Sequence, residues 1–106
     1  FPLTLPEDRT HVWHLFTIVL NLDALRIDRA QFIEELRTRQ IGVSVHYIPI
    51  HYHPHYRGYG WQRGQFPHAE RYYERTISLP LYPAMDDADV DYVIEAVYEI
   101  GKHYRR

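Results

Sequence analysis

The sequence predicts an α+β fold, a two-layer domain in which a small three-stranded sheet, antiparallel or mixed, carries helices on one face. Three observations support this. Short runs of β-branched and aromatic residues recur at 12–22, 43–47 and 77–79. Segments with helical periodicity and capping residues alternate with them. A connection of about 20 residues, far longer than most loops, follows the second run.

The first run contains Leu15, Phe16, Ile18, Val19 and Leu20. It is too apolar for a strand wet on one face and reads as a well-covered one. Asp28 offers an N-cap and Gln31 completes a capping box, while Phe32, Ile33 and Leu36 share one face. Arg37 and Arg39 suit the negative end of the dipole and Gly42 supplies a left-handed stop, so a helix is expected over about 29–40. Val43, Val45 and Tyr47 alternate with Ser44 and His46 as a second strand. Pro67 opens a further helix with Ala69, Tyr72 and Tyr73 on its apolar side. A third strand at 77–79 is stopped by Pro80 and Pro83. Asp86 or Asp87 then caps a last helix striped by Val90, Val93, Ile94, Val97 and Ile100.

The 106 residues are expected to form one domain, with a lead-in over 1–11 and a folded part over 12–106. The chain opens on Phe1, Pro2 and Leu3 without Met, the start expected of a piece cut from something longer. Absence of Cys removes disulfides and thiolate metal sites and fits a cytoplasmic protein. No apolar run approaches the ~20 residues of a membrane span. Twelve basic against fourteen acidic side chains give a net charge of −2, which argues against an electrostatic grip on long nucleic acid but admits a small anion.

The long connection is the functional candidate. It concentrates His46, His51, His53 and His55 with Tyr47, Tyr52, Tyr56, Tyr59 and Trp61, and Pro49 and Pro54 turn it out of the sheet as an extended, irregular loop. Several chemistries compete for it. His51, His53 and His55 would align on an extended strand as a metal site, but Pro54 interrupts them and no carboxylate lies between Ile41 and Phe66 to orient a ligand. For His53 and His55, solvated loop histidines are the simpler reading. Arg57, Arg63, Trp61, Tyr56 and Tyr59 combine positive charge with flat rings, the pairing that stacks a base and holds phosphate; Trp61, Tyr59 and Arg57 would serve a stand-alone nucleotide-binding module, or the rings would fill an interface with another domain. The acidic run Asp86, Asp87, Asp89 and Asp91 is no calcium loop, because an EF-hand begun at Asp87 needs Gly at Tyr92 and Glu at Tyr98. No complete catalytic set is present.

Val45 to His51 (VHYIPIH), Tyr56 and Arg57, Gly64 to Glu70 (GQFPHAE), Ile77 to Pro83 (ISLPLYP), and Val93 and Ile94 follow one another in an order that resembles the C-terminal end of DegT-type sugar-nucleotide aminotransferases. These are pyridoxal-phosphate enzymes of the aspartate-aminotransferase fold, fold type I. The likeness covers almost all of residues 12–100 and is greatest to enzymes acting on UDP-linked 4-keto-6-deoxy amino sugars. It implies a small C-terminal domain that packs on its own N-terminal large domain in a homodimer and moves an amino group from glutamate to a nucleotide-linked keto sugar. In such enzymes the Schiff-base lysine and the carboxylate facing the pyridine nitrogen belong to the large domain. This chain is therefore expected to hold no catalytic, cofactor-binding or metal-binding residue and to be inactive alone. The resemblance puts His46, Tyr47 and His51 first for substrate contact or cleft shaping, then Tyr56 and Arg57 for phosphate or interface contact. Residues 66–70 and 77–83 it implies only as structural signatures.

Overall fold

A computed structural model describes residues 6–106. The first five residues of the expected lead-in lie outside that range. Strand β1, Phe16–Val19, pairs antiparallel with β2, Thr76–Leu79. Phe16 faces Leu79 and Ile18 faces Ile77 across the ladder, so these four side chains share one face. That face meets helix α1, Arg29–Thr38, and the last helix α4, Asp87–His103. Two short helices, α2 at Pro54–Arg57 and α3 at Pro67–Tyr73, lie in the long connection and just after it. The architecture is α+β as expected.

The core follows from the periodicities. Phe32 and Leu36 of α1, Ile77 of β2, and Val93, Ala96 and Ile100 of α4 are buried together with Leu20, Leu25 and Ile41. Each large side chain so enclosed contributes roughly 1.5–3 kcal/mol relative to exposure. The stripe on α4 is wider than the core that receives it, since Val90 and Ile94 remain exposed beside Phe16, Leu79 and Met85 around an apolar hollow of about 200 Å³. A polar seam also joins the two long helices. The Tyr104 hydroxyl donates to Glu35 at 2.7 Å, Glu35 pairs with Arg39 at 3.0 Å, and the Tyr92 hydroxyl donates to the Arg39 carbonyl at 3.0 Å.

Local chemistry sets the helix ends. Asp28 accepts from the Gln31 amide at 2.8 Å while Gln31 accepts from the Asp28 amide at 3.1 Å, the reciprocal box read from the sequence. Asp86, not Asp87, caps α4 in the same way with Asp89. The left-handed stop expected at Gly42 lies instead at Gln40, with φ +59°. The Ile41 amide donates to the Leu36 carbonyl at 3.0 Å and the Gln40 amide to Arg37 at 2.9 Å, which is a Schellman ending. Its apolar contact is the reason: Ile41 must turn back onto Leu36, and both are buried.

Three further expectations need correction. The second strand, expected over 43–47, is reduced to a single antiparallel bridge in which Ser44 exchanges both backbone hydrogen bonds with Ser78, at 3.1 and 2.8 Å. Beyond it the chain bends toward Pro49, which lacks a donor, and enters a 3-10 turn at Ile50–Tyr52. The first strand spans four residues instead of 12–22 and is not well covered, because Phe16 and Val19 are about half exposed on a sheet of only two strands. The long connection is not wholly irregular either, since the 3-10 turn and α2 are built into it. Among the described residues no helix is long and apolar enough to cross a membrane.

Candidate functional site

Leaving the Ser44 bridge, the chain places His46 over the sheet face opposite the helices, where its Nδ1 lies 2.8 Å from the Ser78 hydroxyl. The ring is half-buried and edge-on to Tyr47, which is 73% exposed; the peptide bond between the two is cis. Pro49 then starts the 3-10 turn and Pro54 the first turn of α2, positions where a missing donor costs nothing. Gly60 and Gly64 adopt φ near +90°, so the two glycines permit the reversals that bring the loop back to α3.

Glu70, in the first turn of α3, gathers this loop. Its carboxylate accepts from the Gly64 amide at 2.8 and 2.9 Å, from the Phe66 amide at 3.3 Å and from His51 Nε2 at 2.7 Å. An ionised carboxylate only accepts, so the His51 proton sits on Nε2. His51 is 4% exposed and enclosed by the rings of Tyr52 and Phe66. Burial pushes the Glu70 carboxyl up, but the Gly64 amide, His51 and the Phe66 amide outweigh it and hold the group below its ordinary value. The Tyr52 phenol is pushed up by burial and by the nearby Glu70 charge.

Two hollows flank His51 and Trp61. One, of about 510 Å³, is polar and lined by His51, Tyr52, Arg57, Trp61, Gln62 and Arg63. The other, of about 600 Å³, is apolar and includes Ile48, Pro49, Tyr56, Phe66 and Ala69. Tyr56 and Trp61 stack with centroids 5.7 Å apart and planes within 7°. The Arg63 guanidinium lies 4.1 Å above the Tyr52 ring. Such volumes are of the size that small ligands occupy.

The five residues singled out from the sequence are thus distributed. Arg57 faces the polar hollow, Tyr56 the apolar one and His51 both, while His46 and Tyr47 line neither. Glu70 and Gln62 were not singled out, whereas Arg63 reads with Arg57 as the charge that accompanies the rings, and the two arginines line the same hollow. Two signals touch Glu70: it ends the GQFPHAE string, expected only as a structural signature, and it is the first carboxylate after a long stretch without one. His53 and His55 are exposed, and among the described residues no three metal-ligating side chains come together. The one lysine, Lys102, lies in the last turn of α4 beside Arg39, Glu99 and His103 and lines neither of the two hollows at His51.

The fold matches a sugar aminotransferase domain of fold type I. Spr1654 of Streptococcus pneumoniae, assigned as a sugar aminotransferase, superposes in its PMP form with a TM-score of 0.77 at 30% identity, covering 85% of this chain and 22% of Spr1654. Its PLP form superposes equally, at 0.77. The chain belongs to the DegT/DnrJ/EryC1/StrS aminotransferase family, whose model matches residues 1–98. It is 51% identical over 103 residues to uncharacterized protein MJ1066 of Methanocaldococcus jannaschii, covering 96% of this chain and 27% of that protein. It is 46% identical over 98 residues to the spore coat polysaccharide biosynthesis protein SpsC of Bacillus subtilis, covering 91% and 25%. The chain therefore spans about a quarter of the length of the relatives it matches.

Proposed function

We propose that this chain is the C-terminal small domain of a pyridoxal-phosphate-dependent aminotransferase that moves an amino group from glutamate to a nucleotide-linked keto sugar, a UDP-linked 4-keto-6-deoxy amino sugar by its sequence likeness. Family membership over residues 1–98 carries the reading. The cofactor, its lysine and the carboxylate for its pyridine nitrogen belong to a large N-terminal domain, which is consistent with a chain a quarter of its relatives' length and with the setting of Lys102. The functional form is a cytoplasmic homodimer.

Within that enzyme the segment from His46 to Arg63 forms one wall of the substrate cleft. Tyr47, Tyr56 and Arg57 are exposed and offer a phenol, a ring face and a guanidinium to the nucleotide sugar. His46, tied to Ser78, presents its remaining ring nitrogen to a sugar or phosphate oxygen. His51 shapes the wall from behind, since its Nε2 is committed to Glu70. The apolar surface at Phe16, Val90 and Ile94 is covered by the large domain.

Transamination by the full-length protein, followed with glutamate and a UDP-linked 4-keto sugar beside the isolated chain, tests this. Turnover is expected only in the full-length protein. Turnover by the 106-residue chain alone overturns the proposal.

A further inference from the structure

We propose that the polar hollow is a diphosphate site in which Arg63 joins Arg57 in holding the substrate's diphosphate, with Glu70 as the positioning residue for both. This rests on the nucleotide-sugar reading above and assigns the part of that substrate which the hollow takes.

The charge balance of the hollow supplies the argument. Arg57 and Arg63 both line it, its lining includes no carboxylate, and neither arginine forms an ion pair among the described residues. Two guanidiniums facing one small space repel each other, so a dianion entering it relieves that repulsion and gains charge-assisted hydrogen bonds. A diphosphate offers oxygen pairs that match the planar guanidinium fork. Gln62 adds an amide donor on the same wall, and the Arg63 guanidinium rests over the Tyr52 ring, 4.1 Å from its centroid, which limits the freedom lost on binding.

Glu70 has no direct part in that contact. Its carboxylate accepts from His51, Gly64 and Phe66, on either side of the stretch carrying Arg57, Trp61 and Arg63. Closing a loop by one carboxylate fixes where the arginines stand before ligand arrives, and preorganisation of this kind is worth affinity without adding a contact.

Calorimetry on the full-length protein with UDP, inorganic pyrophosphate and uridine tests the site. UDP and pyrophosphate are expected to bind and uridine to bind far more weakly. Arg63→Ala and Arg57→Ala should each weaken UDP about tenfold and flatten its dependence on salt, while Arg71→Ala, an exposed α3 arginine outside both hollows, should leave it within about twofold. Glu70→Ala should lower UDP affinity while uridine affinity is unchanged, with Glu70→Gln between Glu70→Ala and the parent, a pattern that loss of thermal stability alone does not produce. UDP affinity indifferent to both arginines, or uridine as tight as UDP, overturns the site. Affinity for UDP that needs Arg63 in a protein without aminotransferase turnover removes the enzyme reading and leaves the site. Turnover with UDP affinity blind to Arg63 does the reverse.

Discussion

His51 Nε2 and Glu70 Oε1 lie 2.7 Å apart, an ion-pair distance between a side chain 5% exposed and one 13% exposed. The same carboxylate also accepts from the amides of Gly64 and Phe66, so one group closes a loop that starts 19 residues upstream.

This geometry sets an acid limit. The folded state holds the Glu70 carboxyl below its ordinary value of 4.5, so it binds fewer protons there than the unfolded chain does. The stabilisation is complete above pH 4.5 and is lost as pH falls through the lower folded value. Urea midpoints measured from pH 7 down to pH 3 should fall less steeply for Glu70→Gln than for the parent. Parallel curves contradict the assignment.

Tyr104 acts at the other end of the scale. Its hydrogen bond to Glu35, then burial, then the Glu35 charge raise the phenol above 10, so its contribution is full below pH 10 and lost as pH rises through the folded value. Tyr104→Phe should abolish that alkaline loss, and ultraviolet titration should lose one tyrosine that ionises above the ordinary range. The variant also removes the first of the hydrogen bonds that lower Glu35, so more acid sensitivity at Glu35 disappears with it.

Gln40 and Gly42 exchange their expected roles. Gln40→Gly relieves a left-handed backbone and should stabilise by up to about 1 kcal/mol. Gly42 has no positive φ and a Cβ there meets nothing within 4 Å, so Gly42→Ala should change stability by less than about 0.5 kcal/mol. Paired denaturation curves decide between the two positions, and a larger cost at Gly42 would restore the stop to it.

The α4 stripe divides by burial. Ile100 is 0% exposed and Ile94 is 60% exposed. Ile100→Ala should cost roughly 2–5 kcal/mol in the isolated chain, while Ile94→Ala should stay within about 0.5 kcal/mol. Equal costs measured by urea unfolding mean that Ile94 packs in the isolated chain.

Local signals made the helices legible. The pairs Asp28 with Gln31 and Asp86 with Asp89 are written within four residues, and burial of Phe32, Leu36 and Ile100 follows from a 3.6-residue period. Strands were less legible because alternation at 43–47 reports a side-chain pattern and not a hydrogen-bonding partner, of which Ser44 found one and its neighbours none. The candidate site was legible as a density of rings. What escaped was the role of each: whether a histidine is anchored or free depends on Glu70 and Ser78, which lie 19 and 32 positions from His51 and His46. No spacing rule connects residues that far apart.

Trp61 forms part of the wall of both hollows, and the only other indole, Trp13, is stacked on His11 near the start of the described chain. An occupant on either side alters the polarity around Trp61, so in a Trp13→Phe background the remaining emission is a built-in optical gauge of what enters. An apolar segment against Phe66 would dry the indole and shift its emission to the blue, while an anion beside Arg63 changes the electric field on its other side.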